Sequence, residues 1–481
     1  MADSATFDNY VGGRWVRPGD YAENVNPSDL SDVIGRYAQA GADTVEEAID
    51  AARQAWPGWA AAGPVPRSRL LSRAAGQLAS RAAELGDLLA RELGKPIAEA
   101  VAEVNRAAQI FDFFAGEALR NTGTVIDSVR PGLIAEMHHD PMGVVGVITP
   151  WNFPIAIPAW KIAPALAFGN AVVFKPAGIT PGSAWELTRI LVEAGVPEGV
   201  MNLVMGSGSV AGTAMTGSAA VDAISFTGSQ AVGRKLAGAC VARGIKVQCE
   251  MGGKNPLVVL GDADLDHAVD CAVNGAFFSN GQRCTASSRL IVTADVHDEF
   301  VDRMRARVGS MVVGDARDPA SAVGPISSAE QLESNLAYVR TAGAEGGEVH
   351  GGERLQLATE GYYMSPALVT ATSNDMTINR EEVFGPVASV IRVADYDEAL
   401  ATANDTEFGL SSGICTSSLA HATDFKRRSQ AGMVMVNAPT AGVDPHVSFG
   451  GRKGSSYGPR EQGASAREFY TQHKTTYTDP R

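Results

Sequence analysis

The residue that most invites chemistry is the cysteine of Gly281-Gln282-Arg283-Cys284. A thiol that follows a glycine and a guanidinium sits in a tight, electropositive turn, a setting that favours the nucleophilic thiolate. The plainer alternative is a small buried hydrophobe. Upstream, Gln248-Cys249-Glu250-Met251-Gly252-Gly253-Lys254-Asn255-Pro256 places a carboxylate among glycines just ahead of a strand. Glu250 there suits a general base, or else a capping or salt-bridged side chain. Thr149-Pro150-Trp151-Asn152-Phe153-Pro154 follows a buried strand and fixes an amide between prolines and aromatic rings. Asn152 so held can donate a hydrogen bond to a developing oxyanion without itself becoming charged; a structural turn amide is the alternative. Phe226-Thr227-Gly228-Ser229 comes straight after a strand and opens a helical stretch. Its N–H groups and hydroxyl would face a docked anion such as a pyrophosphate.

Two further glycine patterns carry less. Gly206-Ser207-Gly208-Ser209-Val210-Ala211 formally matches a dinucleotide fingerprint after a strand, but patterns so short arise by chance. Gly343 to Gly352 lacks the strand–loop–helix context and the Lys-Ser/Thr ending of a phosphate loop and reads as turns. His138 and His139 are adjacent, without the helical spacing that lets two histidines share a metal, and no metal is expected.

Regular elements must carry these segments to one place. From Arg67 to Leu89 the residues Leu71, Ala75, Leu78, Ala82, Leu85 and Leu89 recur at helical spacing, which predicts one face of a helix ended by Gly94-Lys95-Pro96. Ile97, Val101, Val104, Ala108 and Phe111 predict a second. Beyond Gly143 the pattern changes. Short β-branched runs at Val144–Ile148, Ala171–Phe174, Val221–Phe226, Leu257–Leu260 and Leu290–Thr293 alternate with helical composition, which predicts βαβ units and a doubly wound α/β fold with a parallel sheet. Phe469 to Thr478, rich in Tyr, Thr and Phe, predicts a strand that pairs within its own sheet or with a neighbouring subunit.

A chain of 481 residues, 45% hydrophobic and 20% charged, can bury more than one core, which excludes a disordered chain or a single small module. Its 40 basic and 54 acidic side chains leave a formal charge of −14 that repels phosphate backbones and anionic lipids, so no nucleic-acid partner is expected. Five cysteines are too few and too scattered for a disulfide framework and point to a reducing, cytoplasmic setting. Met1 to Tyr10 lacks the basic-then-apolar order of a secretory leader. Pro154 to Phe168, the longest apolar stretch, is interrupted by Lys161 and three prolines, so no membrane association is expected.

In this order the segments resemble the aldehyde dehydrogenase superfamily, and the resemblance runs over essentially the whole chain. It rests on a Trp-Asn pair, a Lys at the end of the next strand, a Thr-Gly-Ser turn, a Glu before Met-Gly-Gly-Lys, a Gly-Gln-x-Cys segment and a Glu-x-Phe-Gly-Pro loop. By resemblance Cys284 would be the nucleophile, Glu250 the base, and Asn152 with the Cys284 N–H the oxyanion site. Lys175 of Phe174-Lys175-Pro176 and Glu382 of Glu381-Glu382-Val383-Phe384-Gly385-Pro386 look like ribose contacts. Gly228 and Ser229 would hold pyrophosphate, while Trp151 and Phe384 would shape the adenosine-side and nicotinamide-side walls. The implied fold is a dinucleotide-binding domain (1–122 and 142–252), an α/β catalytic domain (253–450) and a small β oligomerisation element (123–141 and 451–481). Its hairpin would lie near Thr124 to Met137, and a homodimer or homotetramer is expected.

The implied reaction is oxidation of a small aldehyde to an acid through a thiohemiacetal and a thioester, with NADP or NAD as cofactor. Gly178 stands three residues after Lys175, where NAD-selective members commonly place a glutamate that repels a 2′-phosphate, so use of both cofactors with a lean toward NADP is expected. The stretches 249–256, 281–289 and 449–458 look like the bacterial 2-oxoglutarate semialdehyde (2,5-dioxovalerate) dehydrogenases. For such a substrate Arg283 is the nearest candidate to clamp the distal carboxylate, or else a brace for the nucleophile loop. Trp160 stands where succinate semialdehyde dehydrogenases usually carry an arginine. If Arg283 is only a brace, Trp160 points to neutral aliphatic or aromatic aldehydes. A coenzyme A-acylating member and a non-catalytic one are the remaining alternatives, and the presence of Glu250 with Cys284, Asn152 and Lys175 argues against both.

Overall fold

The computed structural model describes residues 5–17 and 19–481. The first four residues of the Met1–Tyr10 stretch therefore lie outside the described residues.

The alternation beyond Gly143 resolves into two large sheets. The first has eight strands, in the spatial order Ser456–Tyr457, Lys246–Glu250, Ala223–Thr227, Val144–Ile148, Ala171–Lys175, Met201–Leu203, Asn9–Val11 and Arg14–Val16. Its inner five strands, Lys246–Glu250 to Met201–Leu203, are mutually parallel. Val144–Ile148, Ala171–Lys175 and Ala223–Thr227 are buried at every residue. Helices cover both faces of such strands, which is why they read as unbroken apolar runs rather than an alternation. From Val144–Ile148 the chain builds outward through Ala171–Lys175 to Met201–Leu203, then returns to lay Ala223–Thr227 on the opposite side. The order reverses at that point, and the carboxyl ends of the two strands flanking it open a crevice suited to a ligand.

The second sheet has seven strands, ordered Glu348–Gly351, Ala367–Thr372, Val387–Val393, Ser287–Thr293, Asn255–Val259, Ser411–Cys415 and Met433–Val436, all parallel except the first. Gly343 to Gly352 is thus not all turn. Glu348–Gly351 pairs antiparallel with Ala367–Thr372 at the sheet edge, because helix Ala329–Ala344 delivers the chain there. A third sheet is antiparallel and small: Thr471–Thr478, Ile134–Pro141 and Thr124–Asp127, in register from Thr471 opposite Pro141 to Thr478 opposite Ile134. The tail is a strand, as its composition predicts. Of residues 451–481 only this segment joins the third sheet, since Ser456–Tyr457 edges the first.

The helix expected over 67–89 is two helices, Pro64–Ser80 and Ala82–Leu93. Arg81 between them leaves helical geometry (φ −108°, ψ 15°) and reaches Glu84 at 2.6 Å and Glu186 at 2.8 Å. The apolar spacing continues across the joint, so periodicity alone does not reveal it. The second predicted face is helix Ile97–Glu117. Among the described residues no helix is long and apolar enough to cross a membrane.

The two large sheets are joined where the chemistry is expected. Strand Lys246–Glu250 ends the first sheet's run, Met251 to Lys254 crosses over, and Asn255 begins a strand of the second whose register partner is Ser287. The loop before Ser287 turns sharply: Ser279, Asn280 and Gly281 have φ of 53°, 55° and 65°. Asn280 holds that turn, donating from Nδ2 to the carbonyls of Gly94 (2.8 Å) and Pro325 (3.0 Å) and accepting the Gly324 N–H (2.8 Å). A Cβ on Gly281 would lie 2.1 Å from the Gly385 carbonyl oxygen. Gly281→Ala should therefore cost about 2–4 kcal/mol in urea unfolding, combining backbone strain with a backbone clash. A loss below about 0.5 kcal/mol would mean that the loop yields at no cost.

Candidate active site

A cavity of about 340 Å³ reaches Cys284 between helices Ile97–Glu117 and Ala156–Ala167 and the loop 441–449. Phe153, Trp160, Arg283 and Phe449 line it with Cys284, and Trp160 stacks on Phe449 at 5.4 Å. The electropositive turn expected around the thiol is not what surrounds it. Arg283 donates from Nη2 to the carbonyls of Asn274 and Gly275 (2.8 Å to Gly275), at the end of helix Leu265–Phe277, and lies over the Phe278 ring. Burial pushes the Cys284 thiol far above its ordinary value, Glu382 and Glu250 add to the rise, and Arg283 opposes it only weakly. The carbonyl contacts of Arg283 brace the loop through Nη2, while its Nε has no partner among the described residues.

A candidate general base ends the neighbouring sheet. Glu250 is buried, its Oε2 accepts the Ser456 hydroxyl at 2.6 Å, and its Oε1 has no partner. Burial, then the charge of Glu461, raises its pKa well above the carboxylate range, against Ser456, Lys161 and Arg460. A carboxyl so placed, with one oxygen free, can take a proton from a neighbouring group and return it. Asn152 donates from Nδ2 to the Gln282 carbonyl at 3.1 Å, beside the thiol, which leaves its second amide hydrogen for a ligand. Its own carbonyl receives the Lys95 ammonium at 2.8 Å, and Lys95 pairs with buried Glu103. Glu103 in turn accepts the N–H groups of Ile155 (3.0 Å) and Ala156 (3.1 Å), tying Asn152 to the start of helix Ala156–Ala167.

The crevice at the carboxyl end of the first sheet presents Glu250, Thr227, Thr149 and Lys175 from adjacent strands. The hydroxyls of Thr149 and Thr227 are buried without partners, a vacancy in hydrogen bonding that a polar ligand would satisfy. Lys175 is buried with no ion pair among the described residues, and burial lowers it to about 8. A Cβ on Gly208 would approach its Nζ at 3.4 Å, so the glycine pattern at 206–211 does reach Lys175, at the start of helix Gly208–Gly217. Ser229 precedes helix Gln230–Ala242 without capping it, which leaves the hydroxyl available. Gly228 is different: its N–H donates to the Glu250 carbonyl at 3.1 Å and is not free for an anion. Glu382 accepts the Gly253 N–H at 2.8 Å, and burial raises it to about 7. Trp151 and Phe384 meet edge to face at 5.2 Å, so they form one wall of the crevice rather than two.

Some residues that hold the site escaped the motif reading. Asn255 donates to the carbonyls of Cys284 (2.7 Å) and Ala286 (2.9 Å). Lys161, which reads in sequence as an interruption of an apolar run, is fully buried against Glu461 and donates to Ser225 at 2.8 Å. A lone charge in a buried run was the available signal, because such a charge needs a partner.

A thiol, a raised carboxyl and a fixed amide thus meet beside a ligand crevice at a strand switch point. The model for the Aldehyde dehydrogenase family matches residues 15–476. This chain belongs to the aldehyde dehydrogenase family. It is an aldehyde-oxidising enzyme, and the resemblance read from its motifs is borne out. It is 41% identical to the alpha-ketoglutaric semialdehyde dehydrogenase of Bacillus subtilis (strain 168), over 100% of this chain and 99% of that protein. With the alpha-ketoglutarate semialdehyde dehydrogenase of Haloferax volcanii the identity is 43%, over 98% of each. The crystal structure of an NAD-dependent aldehyde dehydrogenase from Sinorhizobium meliloti superposes with a TM-score of 0.97 at 34% identity, covering 100% of this chain and 96% of that one.

The carboxyls of Glu382, half-buried, and Glu250, buried, couple the stability of this aldehyde dehydrogenase to pH. Because Glu382 sits at about 7 in the fold against an ordinary 4.5, its contribution is complete below about 4.5 and lost as pH rises through about 7. The thermal midpoint should fall across that window, with Glu250 acting in the same direction, and Glu382→Gln should flatten the slope. An unchanged slope in that variant would assign the titration to other groups.

Proposed function

We propose that this enzyme oxidises 2-oxoglutarate semialdehyde to 2-oxoglutarate through a thioester on Cys284, with NAD or NADP as hydride acceptor. What carries the reading is the half-buried Cys284 held near a carboxyl with a free oxygen at the junction of the two large sheets, in a chain of which two relatives are named for that substrate. As the Cys284 Sγ bonds to the aldehyde carbon, the carbonyl π electrons move to its oxygen and the thiol proton leaves to solvent. The oxyanion formed is received by the free Asn152 N–H and the Cys284 N–H. A bound nicotinamide dinucleotide would supply the hydride acceptor for that carbon, its ribose held by Lys175 and Glu382 and its phosphates and ring by Ser229, Thr149, Thr227 and the Trp151–Phe384 wall. Glu250 then takes a proton from water as the water attacks the thioester, and the departing Cys284 sulfur recovers a proton to close the cycle. Glu250 favours water over coenzyme A as acyl acceptor, since a thiol acceptor needs no such base.

The third sheet leaves Val125, Ile126 and Tyr477 exposed, with Val129 fully exposed in its hairpin. A second copy of the chain covers them in the assembly we propose, a homodimer or a pair of dimers.

Gly178 has nothing within 4 Å of an added Cβ, so a larger side chain fits there. Wild-type enzyme should reduce both cofactors, with a lean toward NADP, and Gly178→Glu should move the ratio of kcat/KM values toward NAD by about tenfold. Cys284→Ala should abolish oxidation of 2-oxoglutarate semialdehyde while the protein still binds cofactor in a fluorescence titration. Retained turnover in that variant would contradict the mechanism.

A further inference from the structure

The cavity above Cys284 is not uniformly apolar. Helix Ile97–Glu117 contributes Glu99, Glu103 and Arg106 to its lining, and Gln462 faces them. Both acids are already engaged: Glu103 by Lys95 and two helix N–H groups, Glu99 by the Ser279 N–H at 2.6 Å. Arg283 is held by backbone carbonyls.

Arg106 is the exception. Its Nη2 donates to Gln462 Oε1 at 3.1 Å, and among the described residues no carboxylate forms an ion pair with it; Asp444 and Glu103 act on it only through space. A guanidinium has five donors, so most of this fork lacks a partner. Gln462 is completely buried and held at φ 59°, a conformation that costs energy for a non-glycine residue. Its Nε2 has no hydrogen-bond partner either. A cation whose remaining donors are open and an amide with an orphaned N–H therefore lie together on the wall of one cavity, where a carboxylate would satisfy both.

Helix Ala156–Ala167 packs directly on helix Ile97–Glu117. The first offers Trp160, which has no charge; the second offers Arg106 across the same cavity. We propose that Arg106, oriented by Gln462, receives the carboxylate at the far end of the substrate, so that this cavity selects acidic aldehydes. The inference rests on reading the Cys284 cavity as the aldehyde site. Trp160 and Phe449 add stacked aromatic surface to the same cavity, and the guanidinium of Arg106 suits a bidentate contact with a carboxylate there.

The test compares 2-oxoglutarate semialdehyde with pentanal in the wild type, Arg106→Met, Arg106→Lys and Gln462→Asn. Arg106→Met should lower kcat/KM for the acidic aldehyde by about 10- to 100-fold, mostly through KM, while changing pentanal by less than about threefold. Arg106→Lys should recover part of the loss, and Gln462→Asn should fall between, again on the acidic substrate alone. A second readout needs no turnover: 2-oxoglutarate should protect Cys284 from alkylation by iodoacetamide in the wild type, and at least about tenfold more of it should be needed in Arg106→Met. Equal losses on both aldehydes, or none on the acidic one in an enzyme that prefers it, would overturn the role of Arg106. A wild type with no preference for the acidic aldehyde would instead overturn the proposed substrate. If Arg106→Met fails to fold, Arg106→Lys and Gln462→Asn decide by the same comparison.

Discussion

The structure depends on one close approach. A Cβ on Gly253 would stand 2.5 Å from the Cys284 carbonyl oxygen, so only a glycine lets the crossover between the two large sheets touch the nucleophile loop. Asn255, two residues on, makes the contact specific by donating to the carbonyls of Cys284 and Ala286 and accepting the Ser411 N–H at 3.0 Å. Glu250 lies three residues before the same glycine, at the last position of its strand. The thiol and the carboxyl of Glu250 are thus fixed to one short stretch of backbone, although they come from different sheets.

Burial at that junction sets the chemistry. The low-dielectric surroundings raise the thiol of Cys284 and the carboxyls of Glu250 and Glu382 together. Each is easier to keep neutral than charged, so these groups hold their protons more tightly than they would in water. Glu250 Oε1, buried and without a partner among the described residues, is the atom left to take a proton from the attacking water. The ion pairs around it, Lys161 with Glu461 and Lys95 with Glu103, are buried and matched, so that the unpaired positions are left to the groups that exchange protons or meet ligands.

Much of this was legible in the sequence. The β-branched runs beyond Gly143 read as buried parallel strands because burial on both faces leaves no alternation to confuse them, and Cys284, Glu250 and Asn152 stood out through the glycines and prolines that fix their turns. The break at Arg81 was hidden because the apolar spacing runs straight across it. Arg283 looked electropositive from its neighbours in sequence, but its guanidinium turns back to the carbonyls that end a helix, which no linear pattern reveals. Arg106 gave no signal in a helix full of ordinary charged residues. Its meaning comes from Gln462, which is distant in sequence and meets it only in the fold.

The central claim is that Glu250 acts on the proton of water after the hydride has gone, and Glu250→Gln tests it most directly. Rapid mixing of that variant with aldehyde and cofactor should give a burst of reduced cofactor stoichiometric with active sites, followed by turnover slowed about 100-fold or more, with the acyl group trapped on Cys284. A variant that shows no burst, losing the first turnover together with the later ones, would contradict the account and assign Glu250 to thiol activation alone or to holding the fold.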